Sequence, residues 1–236
     1  MCSIILRIGP DGVLIGANRD EMTARPWDPP GEFWPGVIAG RDRLAGGTWM
    51  GVNRHGVMAA VLNRTGTLGP LPGKRSRGEL PLLALAHASA KAAAEAMAKL
   101  DGGAYRSFNL VIADAISAFL LRGLESGAPE ISALGEGTTM ITSGEPNDLH
   151  LPRIARHLPY FTNATFEAWG TLLADDTGAW ESTLNIPEKN GFATVCSSLI
   201  SLLPGGMEWR FSEAKPGSFR YTKVNLWETP RSTHEK

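Results

Sequence analysis

Two apolar runs joined by Gly9-Pro10-Asp11-Gly12 open the chain and impose an antiparallel hairpin on whatever fold follows. Residues 2–8 are rich in β-branched side chains, and residues 13–17 resume the run after the turn, the pattern of two paired strands. Taking Pro10-Asp11-Gly12 as a three-residue loop, with Gly12 in the left-handed conformation such loops need, sets Gly9 against Val13 and Cys2 against Asp20. A loop one residue shorter or longer sets Cys2 against Arg19 or Glu21 instead. In each register the segment Asn18-Arg19-Asp20-Glu21 meets Cys2, and directly opposed residues share a face with Cβ atoms about 4.5–5.5 Å apart. The expectation is that the Cys2 and Asp20 side chains share one face at the open end of the hairpin.

Beyond the hairpin, residues 27–40 are rich in proline and aromatics and read as an irregular covering loop. Residues 48–53 and 57–62 flank Arg54-His55-Gly56 as a second hairpin, with Asn63 at the end of its second strand. Residues 79–100 carry the clearest helical period, stopped by Gly102-Gly103. Its Ala-rich side suits packing on a sheet, and the series His87, Lys91, Glu95, Lys99 reads as a solvated face. Three strand-like runs follow ("FNLVIAD", "AFLLRGL", "GTTMITSG"), then helical patterns over 152–158 and 166–174, then strands from 193 to about 227. This order predicts an α+β fold of two mainly antiparallel sheets covered by helices. A chain of 236 residues fits one core, so a single domain over 1–236 is expected.

Composition narrows the partners. A net charge of -1 gives no general attraction to nucleic acid or to an anionic membrane. No apolar run has the length of a spanning helix, and Arg7 and the turn after it interrupt the only signal-like stretch. A cytoplasmic protein without a membrane span is the expectation. Cys2 and Cys196 are the only cysteines, too few for a disulfide framework or a four-ligand zinc set, and no metal or cofactor is expected. Gly73-Lys74 is not a phosphate-binding loop, because Leu68 and Arg75 stand where that pattern requires glycine and Ser or Thr.

Cys2 carries the chemistry. Once Met1 is removed, its α-amine, with a pKa of about 7.7–8.0, can accept the proton of its own thiol. Such a nucleophile needs a group to orient the amine and donors for the oxyanion. Asp20 meets the first need by the hairpin register. Asn18 and Arg19 are candidate substrate-binding residues; Arg19 can stabilise a thiolate, bind an anionic group or pair with Glu21. Cys196 lacks an amine of its own and reads as a small residue of a buried strand.

"NRDE" at 18–21 behind Met1-Cys2, "GGTWMGVN" at 46–53, "RGEL" at 77–80 and "FNLVIAD" at 108–114 together resemble the NRDE family, also called transport and Golgi organisation 2. That family is similar to the cysteine N-terminal-nucleophile hydrolases, including penicillin V acylase and bile salt hydrolase, and the resemblance implies a four-layer αββα sandwich. It further implies Cys2 as nucleophile, Asp20 as the group orienting its amine, the Asn63 main chain as oxyanion donor, and cleavage of a non-peptide C–N bond in a small-molecule substrate. The acylases carry Gly-Arg-Asn-x-Asp, whereas this chain reads Gly16-Ala17-Asn18-Arg19-Asp20, so the arginine of that pattern is either missing or displaced by two positions. Ser143-Gly144 occupies the place of a side-chain oxyanion asparagine, with Asn147 further on, and Val195 stands where many relatives have arginine. The alternative implied by the family is a non-catalytic haem or acyl-lipid carrier on the same fold.

Overall fold

The computed structural model describes residues 2–213 and 219–227. The first hairpin pairs β1 (Ser3–Gly9) with β2 (Gly12–Met22). Its register runs from Gly9 opposite Gly12 to Ser3 opposite Asn18, one residue tighter than expected. Gly12 does adopt positive φ, at 134°, but it also joins the ladder, leaving only Pro10 and Asp11 in the turn. A one-residue slip moves every side chain of the strand to the opposite face, with direct consequences for the site.

The next hairpin pairs β3 (Trp27–Trp34) with β4 (Val37–Asp42), where the sequence suggested an irregular loop. Pro29 and Pro30 are tolerated because β3 is an edge strand whose pairing slips on either side of Gly31. Strands β5 (Met50–Asn53) and β6 (Met58–Asn63) form the expected second hairpin. The helix expected over 79–100 is interrupted, giving α1 (Leu80–Ala84) and α2 (Ala90–Met97). Two tertiary contacts fix the break. Asn53 Nδ2 donates to the carbonyls of Leu85 and His87, and Asp114 Oδ2 accepts from the Ala90 N–H at the start of α2.

Strands β7 (Phe108–Ala113), β8 (Ala118–Gly123), β9 (Glu130–Leu134) and β10 (Gly137–Ile141) precede α3 (Pro152–Asn163) and α4 (Trp169–Leu173). Strands β11 (Phe192–Leu203), β12 (Gly206–Glu213) and β13 (Thr222–Lys223) complete the fold. One antiparallel sheet has the order β10-β1-β2-β11-β12-β13, the other β3-β4-β5-β6-β7-β8-β9.

The sheets pack face to face through Ile4, Leu6, Ile15 and Ile200 of the first and Val52, Met58, Val111 and Leu120 of the second. Helices α1 and α2 cover the outer face of the seven-stranded sheet with Leu80, Ala84, Ala93 and Met97. Helices α3 and α4 cover the six-stranded sheet with Ile154, Phe161, Trp169 and Leu173. The layers are therefore α-β-β-α, as expected. Trp169 anchors the second helical layer, meeting Phe161 edge-on at 5.2 Å and Phe166 at 5.3 Å, each contact contributing about 0.5–1.5 kcal/mol beyond area burial. Among the described residues no helix is long and apolar enough to cross a membrane.

His157 of α3 makes this layer sensitive to acid. The ring is buried, and its Nε2 donates to the Ser182 carbonyl at 2.8 Å. Burial holds its pKa below the usual histidine value. Between that lowered value and about 6.5, the unfolded chain binds the proton that the folded chain refuses, so stability rises with pH through this window and is lost as pH falls below about 6.5. We expect the melting temperature to drop on acidification, with a slope from this group of at most about 1.4 kcal/mol per pH unit. His157→Gln should flatten that limb. Thermal melts between pH 5 and 8 check it, and identical limbs in both proteins would refute the assignment.

Candidate active site

Continuing the hairpin register one step past Ser3 and Asn18 brings Cys2 beside Arg19. Side chains alternate along β2, so Val13, Ile15 and Ala17 face the space between the sheets and Arg19 follows them. Cys2, Arg19 and Cys196 border one cavity in that space, with Trp49, Met50 and Leu62 from the opposite sheet. The cavity is narrow, about 20 Å³, room for about one water rather than an acyl chain.

Asp20 points the other way, which corrects the expectation that it shares a face with Cys2. Its carboxylate lies under α3, where Arg153 Nη1 donates to Oδ2 at 2.9 Å and Thr194 Oγ1 donates to Oδ1 at 2.7 Å. The same Arg153 nitrogen donates to Ser3 Oγ at 3.1 Å, and both charged side chains are buried. What Asp20 offers to the thiol is its main chain: the Cys2 thiol lies 3.8 Å from the Asp20 carbonyl.

A bulge in β11 makes this division possible. Thr194 pairs with Asp20, yet Cys196 pairs with Arg19, leaving Val195 as the extra residue. Thr194 can then face the helices while Cys196, only two residues later, faces the cavity. Val195 is thus the bulged residue.

The Asn63 main chain is placed by strand pairing. The Arg64 N–H donates to Ser107 O and the Val61 N–H to Trp49 O, so alternation turns the Asn63 N–H to the same side as that of Val61. There β5, which begins at Met50, has already ended, and among the described residues the Asn63 N–H has no hydrogen-bond partner. Its neighbours Val61 and Leu62 border the cavity.

Two candidates are committed elsewhere. Asn18 also borders the cavity, but its side-chain amide donates to Leu173 O at 2.9 Å and Leu184 O at 3.0 Å, tying β2 to the α4 layer. Asn147 donates to Thr138 O and accepts from the Met140 N–H, so its side chain serves the β10 backbone. Arg153 and Thr194 escaped the sequence reading: each meets Asp20 across more than a hundred residues of chain, and a charge in an amphipathic helix ordinarily reads as solvated.

Burial first, and the Asp20 carboxylate second, push the Cys2 thiol above its ordinary pKa, with the Arg19 charge opposing them. The thiol is therefore protonated near neutral pH and needs a base at the moment of attack. Cys196 is more deeply buried and also raised, chiefly by burial. Among the described residues, no three His, Cys, Asp or Glu side chains gather as a metal site.

A family model described as "Transport and Golgi organisation 2" matches residues 1–190. The cattle (Bos taurus) transport and Golgi organization protein 2 homolog is 32% identical over 129 residues, 48% of this chain and 45% of that protein. The match thus spans about half the length of that curated relative. Among solved structures, the Caenorhabditis elegans N-acylethanolamine-hydrolyzing acid amidase ortholog superposes with a TM-score of 0.59 at 12% identity, over 84% of this chain and 92% of that one. Penicillin V acylase from Agrobacterium tumefaciens gives 0.55 at 13% identity, over 94% and 86%. At these identities the structures share the fold.

Proposed function

Because the chain belongs to the transport and Golgi organisation 2 family and has the fold of N-terminal-nucleophile hydrolases, we propose that it is a cysteine amidohydrolase cleaving a non-peptide C–N bond in a small molecule. The observation that carries this reading is that the Cys2 thiol borders a cavity lined also by Val61 and Leu62, next in the chain to Asn63, whose main-chain N–H has no partner among the described residues.

In this reading Met1 is removed, and the freed Cys2 amine takes the thiol proton as sulfur attacks the substrate carbonyl. The Asn63 N–H donates to the developing oxyanion. The protonated amine then gives its proton to the departing nitrogen as the C–N bond breaks, and water hydrolyses the thioester. Asp20 serves from the far face of β2. An amine on the main chain lies near the plane of the sheet and is approachable from either side, so a carboxylate opposite the thiol is well placed to orient it.

Limiting treatment of Met1-free protein with p-nitrophenyl acetate, followed by peptide mapping, should acylate Cys2 at least about tenfold faster than Cys196. Protein that keeps Met1 should lose this advantage. Equal acylation of the two thiols, or rates indifferent to Met1, would overturn the reading. So would N-terminal sequencing that finds Met1 retained on the protein from its native cells.

A further inference from the structure

Among the described residues Arg19 is the one charged residue bordering the cavity, and its bonding is incomplete. Its side chain is 5% exposed. The guanidinium carbon lies 4.1 Å from the centre of the Trp49 ring and 5.9 Å from that of Trp27. An aromatic face steadies the cation but accepts no in-plane N–H bond. Nη2 lies 3.6 Å from Glu21 and 3.9 Å from Asp42, too far for hydrogen bonds, and Asp42 is engaged by Arg25 at 2.7 Å. Nη1 is buried with no hydrogen-bond partner among the described residues. A buried donor left unmade is costly, and in a lining otherwise free of charge its natural complement is a carboxylate oxygen.

Strand pairing sets this donor beside Cys2 on one side and Cys196 on the other. We infer that the substrate's acyl part carries a carboxylate one or two bonds from the scissile carbonyl, held by Arg19 while that carbonyl meets Cys2. The substrate class is a monoamide of a short dicarboxylic acid. The inference rests on the amidohydrolase reading for the word substrate, but the anion site itself does not require turnover.

Iodoacetate and iodoacetamide deliver the same carbon to a thiol and differ in charge, so their relative rates at Cys2 report the site. They are measured on protein that keeps Met1, so that the ammonium is not on Cys2 itself, and the Arg19 variants separate any attraction by the terminal ammonium from that of Arg19. N-acetylcysteine in the same buffer gives the reference ratio. Alkylation at Cys2 should favour iodoacetate over that reference by about tenfold or more, should saturate, and should be slowed by malonate. Arg19→Gln should bring the ratio back toward the reference, and Arg19→Lys should retain part of the preference. A wild-type ratio at the reference overturns the inference even if neither variant folds. A raised ratio that persists in folded Arg19→Gln overturns it too. If the ratio is high and Arg19-dependent while p-nitrophenyl acetate finds no reactive Cys2, the anion site stands and the hydrolase reading fails alone.

Discussion

Arg153→Met should destabilise the folded protein by about 3–5 kcal/mol, because it removes the Arg153 guanidinium from the buried Asp20 carboxylate beneath α3. For a chain of this length the melting temperature should fall by on the order of 10 °C. The loss is large because a buried charge loses one of its partners, not because the pair is strong in itself. Adding Asp20→Leu should therefore recover part of it. Thermal and urea unfolding of the two single variants and the double variant test this, and an Arg153→Met protein within about 1 kcal/mol of wild type would refute it. Asp20→Asn separates stability from chemistry: an amide fills the same space but supports an ammonium poorly. The folded variant should acylate more slowly, with kcat and kcat/KM falling together. Unchanged single-turnover acylation would refute the orienting role.

Gly40→Ala should cost about 2–3 kcal/mol despite adding one methyl group. A Cβ at position 40 would lie 2.2 Å from Cη2 and Cζ2 of Trp49. Trp49 cannot yield without moving Arg19, which stacks on the same ring. The substitution should thus lower stability and also weaken the iodoacetate preference at Cys2. A folded Gly40→Ala protein with both properties intact would show that the wall is softer than this packing implies.

The hairpin, the sheet-helix order and the layers were legible because they depend on local period and turn residues. The site was legible only as a neighbourhood. Whether Gly12 serves as turn or as ladder is a balance that the sequence leaves open, and one residue of register decides which of Arg19 and Asp20 faces the thiol. The contacts that complete the site came from far along the chain. Arg153 and Thr194 reach Asp20 from another helix and another strand, and Asn53 and Asp114 interrupt a helix whose own period is continuous.

Resemblance brought Asn63 to notice, but only the early end of β5 explains why its N–H is open. The Arg19 stack needed Trp49 from the opposite sheet, a contact with no local signature.

The single extra residue in β11 sets a rule about counting rather than chemistry. Before Val195 the even-numbered residue Thr194 faces the helices; after it, Cys196, Ile200 and Leu202 face the opposite sheet. Side chain 195 packs at the margin of the core and can be exchanged for another of similar bulk. Its place outside the ladder cannot be given up while it is present. Pairing it in register would bring residues 194 and 196 into one phase, so that either Thr194 leaves Asp20 or Ile200 and Leu202 turn out of the core. Deleting it would instead leave residues 194 and 196 as neighbours on opposite faces, still opposite Asp20 and Arg19. Relatives that preserve this arrangement should therefore hold the acid's partner and the cavity thiol either as adjacent residues or with a single unpaired residue between them.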